Sequence, residues 1–345
     1  MTGDARFPVH VVTGFLGSGK TTLLRAVLGS EAFGDTAVLV NEFGEVGLDH
    51  LLLGEIAEDT VLLDSGCVCC TIRGELSEAL RRLHSRRTRG EIPPFRRIVL
   101  ETTGLAEPAP IASTIAADPV LRHHVRPGTT VAVVDCTNAV TTHWREPIWA
   151  EQVAAADRVL LSKTDLATED EIQATRDTVT GINPGAELLG AEALTRPPER
   201  LFDAGPHLRL ASGAELTDWL GPAAARDGHA THARGAGIAG IESFALDMEE
   251  PVDWTAFAVW LSMLLGQHGE RILRVKGVLR IEGADWPLAI HGVQHTVYPP
   301  VHLQAFDDWQ GESRLIFITR GLSHDVIARS LRTFVAHIAD PPGLR

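Results

Sequence analysis

The stretch "GFLGSGKT", Gly14 to Thr21, limits what this chain can fold into more than any other feature. It satisfies G-x-x-x-x-G-K-[ST] at every fixed position. Gly14, Gly17 and Gly19 let the backbone turn its N–H groups inward around phosphate oxygens. Ser18 and Thr22 complete the cradle, Lys20 reaches the β- and γ-phosphates, and the Thr21 hydroxyl is placed to ligate Mg²⁺. The context fits the motif. A β-rich run, "HVVTGF", comes before it, and "GKTTLLRAVLG" reads as a helix that closes on Gly29 and offers its N-terminus to an anion.

The rest of the first 220 residues repeats this alternation. "TAVLVNEF", "DTVLLDSG", "RRIVLETTG", "TVAVVD", "RVLLSKTD" and "AELLGAEA" read as strands. "ELSEALRRLHSRR", "PAPIASTIAA", "WAEQVAAAD" and "TEDEIQATRDTV" read as helices between them, with proline in the first turn of the second. Strands alternating with helices predict an α/β fold: a P-loop NTPase with a mostly parallel sheet covered on both faces. Residues 1–220 are assigned to it. "GPAAARDGHATHARGAGIAG" has no usable periodicity, so residues 221–240 are expected to be a flexible linker. Residues 241–345 read as a smaller α+β domain. Its strands are "IESFAL", "ILRVKGVLRIEG", "PLAIHGVQHTVY" and "SRLIFITR"; its helices are "WTAFAVWLSMLLGQHG", expected to face a core, and "HDVIARSLRTFVAHI".

Two further nucleotide elements follow from strand ends. Glu101 terminates "RRIVLE", where a carboxylate can hold Mg²⁺ or its water. Gly104, three residues on, is placed to bring a backbone N–H to the γ-phosphate. In "LLSKTD", Asp165 can accept from N1–H and the exocyclic amine of guanine, a donor pair that adenine lacks at that edge. The stem of Lys163 can pack over the purine. GTPases commonly carry Asn-Lys-x-Asp here, and Ser162 stands where that Asn would be. A serine is expected to support the loop less well, which leaves the strictness of GTP over ATP open.

Composition removes several function classes. The formal net charge is −14, against the basic surface that generic nucleic-acid binding requires. No apolar run approaches a membrane span of about 18 residues, and the N-terminus lacks a basic-then-apolar signal pattern. The expected location is the cytoplasm. Four cysteines in 345 residues form no disulfide framework.

Three of those four lie together in "DSGCVCCTIRGEL": Cys67, Cys69 and Cys70. Cys136, in "VVDCTN", reads as a core residue. C-x-C-C is not the thioredoxin spacing, and buried small hydrophobes are the plain alternative. Glu42, in "VNEFGEVGLD", follows the strand after the phosphate-loop helix. The cysteines follow the next strand, so both segments are expected at one edge of the sheet near the nucleotide. Thiolates with a carboxylate suit four-coordinate Zn²⁺, with another transition metal possible. Three thiols plus Glu42, or two thiols plus Glu42 and water, both satisfy that count. Cys69 and Cys70 need a turn to ligate together, because neighbours on an extended chain point apart.

"GFLGSGKTTLL", "NEFGEVGLD", "GCVCCTIRGEL", "ETTGLAEPAP" and "SKTD", in this order, closely resemble the CobW-like GTPases, relatives of the UreG and HypB metal-insertion GTPases. "RVKG", "HGVQH" and "SRLIFITR" resemble that family's C-terminal domain. The resemblance implies binding and slow hydrolysis of GTP to GDP with Mg²⁺, binding of Zn²⁺ or a related metal by Glu42, Cys67, Cys69 and Cys70, and delivery to a client metalloprotein. A homodimer is allowed. The family's histidine-rich stretch is reduced to His229 and His232. His291 and His295 lack the Glu of H-E-x-x-H and would share a face of one strand; they read as structural or client-contacting. Two other functions compete: a GTP-dependent assembly or activation factor for one metalloenzyme or for a cobalamin pathway, and a phosphotransferase with structural thiols.

Overall fold

The computed structural model describes residues 6–30, 33–41, 62–65, 72–190, 193, 199–202, 220, 240–304 and 311–339. The chain forms two compact units, one of residues 1–177 with 186–205, the other of 178–185 with 206–345.

The first unit is built on seven strands: β1 (Phe7–Thr13), β2 (Thr36–Asn41), β3 (Leu62–Ser65), β4 (Arg97–Glu101), β5 (Val125–Asp135), β6 (Arg158–Ser162) and β7 (Glu187–Leu189). Their order is β3-β2-β4-β1-β5-β6-β7, and every neighbouring pair is parallel. Between them run α1 (Lys20–Leu28), α2 (Ile72–Thr88), α3 (Ala109–Ala117), α4 (Leu121–His124), α5 (Ala139–Arg145), α6 (Pro147–Ala155) and α7 (Glu169–Ile182), whose residues from Thr178 on are counted in the second unit, with α8 (Glu199–Phe202) after β7.

Side-chain alternation along the strands feeds two cores. Val9, Val11, Ala37, Leu39, Ile98 and Leu100 pack on Leu76, Leu80 and Leu83 of α2 and on Ile111 and Ile115 of α3. Val12, Val38, Val40, Val99, Val131 and Val133 pack on Leu23, Leu24 and Val27 of α1. Each such valine, leucine or isoleucine side chain, fully buried, contributes about 1.5–3 kcal/mol. This two-sided burial is why the strands read as nearly continuous apolar runs. His10 is the exception within β1. It is 1% exposed, and its Nδ1 accepts from the Thr129 N–H at 3.0 Å. Burial, reinforced by Arg126 and Arg97, lowers its pKa from 6.5 to about 3, so the imidazole is neutral.

The second unit is antiparallel. Its strands are β8 (Ile241–Met248), β9 (Ile272–Leu279), β10 (Leu288–Val293), β11 (Thr296–Val297), β12 (Val301–His302) and β13 (Ser313–Arg320), in the order β11-β10-β9-β13-β8, with β12 on β10. Its helices are α9 (Trp254–His268) and α10 (His324–Ala339). Phe257, Trp260, Leu261 and Leu264 of α9 and Ile327 and Leu331 of α10 share one core with Val275, Ile290, Leu315 and Phe317. Asp253 caps α9 by accepting from the Ala256 N–H at 2.7 Å. The core-facing reading of α9 holds for one side only, since Val259 and Met263 are exposed.

Several element boundaries differ from those read in the sequence. β5 begins at Val125, because its first residues pair with Phe7 and Pro8 at the start of β1. "AELLGAEA" contributes only Glu187–Leu189 to the sheet. "PLAIHGVQHTVY" is not one strand. It turns at Gln294, where φ is +49°, and returns as β11, with Val293 opposite Thr296. The expected linker lies outside the described residues except for Gly240, and so do His229 and His232. No helix among the described residues is long and apolar enough to cross a membrane.

Candidate nucleotide and metal site

A parallel sheet puts the carboxyl ends of its strands on one edge, and the loops there carry the chemistry. β1 ends at Thr13 and turns at once into the phosphate loop. Gly14 sits at φ +142°, and a Cβ there would lie 2.4 Å from the Val133 carbonyl oxygen, so only glycine lets the loop pass over β5. Gly17 and Gly19 also have positive φ. Lys20 opens α1 and its ammonium donates to the carbonyls of Gly14 at 2.9 Å and Phe15 at 3.1 Å. It therefore lies across the mouth of the loop. Thr22 follows within the first turn of α1.

β4 supplies the next groups. The Thr21 hydroxyl donates to Glu101 Oε1 at 3.2 Å, and Glu101 is 5% exposed. A hydroxyl and a carboxylate oxygen side by side are hard donors of the kind Mg²⁺ takes, so these two residues fit that ion. When bound there, it would neutralise phosphate charge. Thr102 ties the two strand ends together: its N–H donates to the Val12 carbonyl at 2.9 Å and its hydroxyl to Thr13 Oγ1 at 3.0 Å. Gly104 approaches the phosphate loop so closely that a Cβ on it would lie 2.6 Å from the Leu16 backbone nitrogen.

β5 and β6 end on the other side of β1. Ser162 donates its hydroxyl to the Ser18 carbonyl at 2.6 Å. A serine on β6, which is two strands from β1, reaches the phosphate-loop backbone directly. Lys163 adopts φ +55°, and its ammonium binds Asp135 Oδ2 at 2.7 Å. Burial alone would raise the Asp135 pKa, but bonds from Lys163, Thr137 and Asn138 outweigh it and hold the carboxyl below its usual range. Asp165 is exposed, two residues beyond. Asp135 was not singled out in the sequence, although it ends an apolar strand just as Glu101 does. Gln152 of α6 gave no sequence signal at all. It is fully buried, and its Nε2 donates to the carbonyls of Gly104 at 3.1 Å and Ala106 at 3.2 Å.

Glu42, Cys67, Cys69 and Cys70 lie outside the described residues. The chain on either side of them is described. β2 and β3 end as register partners, Asn41 opposite Ser65, and Val40 is opposite Glu101. Cys136 is 2% exposed, and burial raises its thiol pKa, as a core cysteine requires. Among the described residues, no group of three or more His, Cys, Asp or Glu is arranged to hold a metal. The hairpin separates the C-terminal histidines: His291 stacks on Tyr298 with ring centroids 4.5 Å apart, while His295 Nδ1 lies 2.8 Å from the Leu265 carbonyl. They do not share a strand face.

The model of the CobW/HypB/UreG nucleotide-binding domain matches residues 8–190, and that of the cobalamin synthesis protein CobW C-terminal domain matches residues 241–335. This chain belongs to the CobW family. The zinc chaperone YjiA of Escherichia coli is 32% identical over 310 residues, covering 90% of this chain and 93% of that protein. A zinc-regulated GTPase metalloprotein activator of Schizosaccharomyces pombe is 36% identical over 189 residues, 53% of this chain and 45% of that protein. A zinc-bound triple mutant of the YjiA GTPase, with a glutamate and two cysteines changed to alanine, superposes with a TM-score of 0.71. It is 25% identical, and the match covers 95% of this chain and 99% of that one. The CobW-family fold therefore extends through both units.

Proposed function

We propose that the protein is a GTP-hydrolysing metallochaperone that binds Zn²⁺ through Glu42, Cys67, Cys69 and Cys70 and passes it to a client metalloprotein under nucleotide control. One observation carries this reading. β2 and β3 end as register partners at Asn41 and Ser65, on the edge where Glu101 meets Thr21. The segments bearing Glu42 and the cysteines leave from those two ends. β3 lies three strand positions from β1, which is about 14 Å at roughly 4.8 Å per position.

The chain's own groups divide the work. Gly14 to Thr22 hold the phosphates, with Lys20 leaving the Gly14 and Phe15 carbonyls for the β- and γ-phosphates. Thr21 and Glu101 hold Mg²⁺. Gly104 offers its N–H to the γ-phosphate, and Lys163 and Asp165 read guanine. GTP binding orders the Glu42 segment and completes the thiol site; hydrolysis releases both. Turnover without a partner is slow, since none of these groups is an arginine finger.

The test is a zinc titration against a competing chelator with GDP or a non-hydrolysable GTP analogue bound, on wild type and Cys69→Ser. Tighter zinc binding with the GTP analogue, lost in Cys69→Ser, is expected. Equal affinity in both nucleotide states removes the gating. Affinity of the tightest site is the readout, because the YjiA triple mutant binds zinc without a glutamate and two cysteines. The likeness to a metalloprotein activator favours a second reading, assembly or activation of one enzyme. A stable client complex that survives Cys69→Ser would favour that reading over carriage.

A further inference from the structure

The loop that follows β4 is held by a side chain that the nucleotide motifs do not include. Gln152 lies on α6 and is fully buried. Its two hydrogen bonds both go to backbone carbonyls, Gly104 at 3.1 Å and Ala106 at 3.2 Å. Two carbonyl partners fix which end of the amide faces the loop, since only the nitrogen can donate. The other end, Oε1, is buried with no hydrogen-bond partner among the described residues. A buried amide oxygen left this way costs free energy, so shape alone does not account for a glutamine here. An apolar side chain of similar size would fill the volume without that cost.

The loop it grips is short and contacts the phosphate loop on its far side. The Ala106 N–H closes a turn on the Thr103 carbonyl at 3.1 Å. Gly104 lies against the Leu16 backbone, too close for any Cβ. Gly104 is thus held between Leu16 and the Gln152 amide. Three residues before Gly104 is Glu101, bonded to Thr21. Four residues after Gln152, the chain enters the turn at Ala156 and Asp157 that starts β6, whose end carries Ser162 on the Ser18 carbonyl. One helix therefore bears on both the γ-phosphate loop and the strand that supports the phosphate loop.

We propose that Gln152 is the positioning residue for the Gly104 loop, and that it sets how far the protein distinguishes GTP from GDP. This rests on the reading of the site as a GTPase. The two N–H···O=C bonds hold the Gly104 and Ala106 carbonyls toward α6, which keeps the Gly104 N–H at the γ-phosphate end of the cradle. A nucleotide without a γ-phosphate makes no use of that N–H. Removing the amide therefore weakens GTP binding and turnover but leaves GDP binding intact.

The experiment is on full-length Gln152→Met, which keeps the volume and deletes both donors. Affinities for GDP and for a non-hydrolysable GTP analogue are measured, together with kcat and KM for GTP. Each neutral hydrogen bond is worth roughly fivefold. The expected result is a fall in GTP-analogue affinity and kcat of about 5- to 30-fold, with GDP affinity within about twofold of wild type. Equal losses for both nucleotides, or no loss for either, overturns the proposal. Lys20→Ala is the control for the underlying reading. If wild type fails to bind GTP, or Lys20→Ala binds as well as wild type, the GTPase site itself is wrong. If wild type behaves as a GTPase and only Gln152→Met shows no selective effect, the positioning role alone fails. Should Gln152→Met not fold, the side-chain amide resonance of Gln152 in the wild type replaces it. That resonance should shift more between the GDP and GTP-analogue states than between the nucleotide-free and GDP states. The reverse order overturns the proposal.

Discussion

The two sheets put their polar residues in different places. In the parallel sheet most strand interiors are apolar, His10 and Thr129 excepted, and polar residues stand at several carboxyl ends: Thr13, Glu101, Asp135 and Ser162 each terminate a strand. In the antiparallel sheet Arg274, Lys276 and His291 are buried inside strands, and the terminal polar residues Thr296, His302, Ser313 and Arg320 stand at a mixture of strand beginnings and ends. Parallel strands all finish on one edge, so terminal polar groups converge and can share a ligand. Antiparallel strands alternate ends, so equivalent groups would be scattered. The first arrangement builds a site and the second builds a scaffold or an interface.

The largest break in this comparison comes from Lys20→Ala. Loss of a preorganised cation at the phosphates is expected to cut GTP turnover by about 100-fold or more, while His291→Phe in the other sheet leaves turnover unchanged. Steady-state kinetics on the two variants check it, and a comparable loss in His291→Phe would contradict the division. Next is Gly104→Ala. The added Cβ must displace the Leu16 backbone, which lies 2.6 Å away. About 1–3 kcal/mol of stability should be lost, with reduced turnover, read by denaturant unfolding and by kinetics.

A pH effect of similar size belongs to the parallel sheet's interior. His10 has its pKa lowered from 6.5 to about 3. The unfolded chain therefore binds the extra proton between those values, and stability rises with pH there. The contribution is complete above pH 6.5 and is lost as pH falls toward 3, by about 1.4 kcal/mol per unit. Wild type should lose about 2 kcal/mol from this group between pH 6.5 and pH 5. His10→Gln should lack that part of the slope in denaturant titrations. The smallest effect is that of Ser162→Ala, which removes one bond to the Ser18 carbonyl. It should weaken GDP binding by about 1 kcal/mol, roughly fivefold. No change would mean the phosphate loop holds its shape without β6.

The parallel half of the fold was legible because its signals are local. An apolar run, a glycine-rich turn and a helix are contiguous in the sequence from His10 to Leu28, and Glu101 and Asp165 follow strands of the same kind. Gln152 was not legible. Its partners are 48 and 46 residues away, and nothing in "WAEQVAAAD" marks one polar residue of a helix as buried. Ser162 was legible in position but not in effect, since its reach to Ser18 spans 144 residues and depends on the sheet order. The histidine hairpin was missed for a different reason. A two-residue turn at Gln294 and His295 carries no Gly or Pro to announce it, and only the strand pairing reveals it.

The central claim is that the cysteine segment and the phosphate cradle act on one another. Linkage makes the effect reciprocal, so the most direct measurement is nucleotide affinity with and without zinc. Zinc should tighten the GTP analogue relative to GDP by the same factor by which the analogue tightens zinc, and Cys69→Ser should abolish that factor. A GTP-to-GDP affinity ratio that does not move when zinc is added to the wild-type protein would contradict the account.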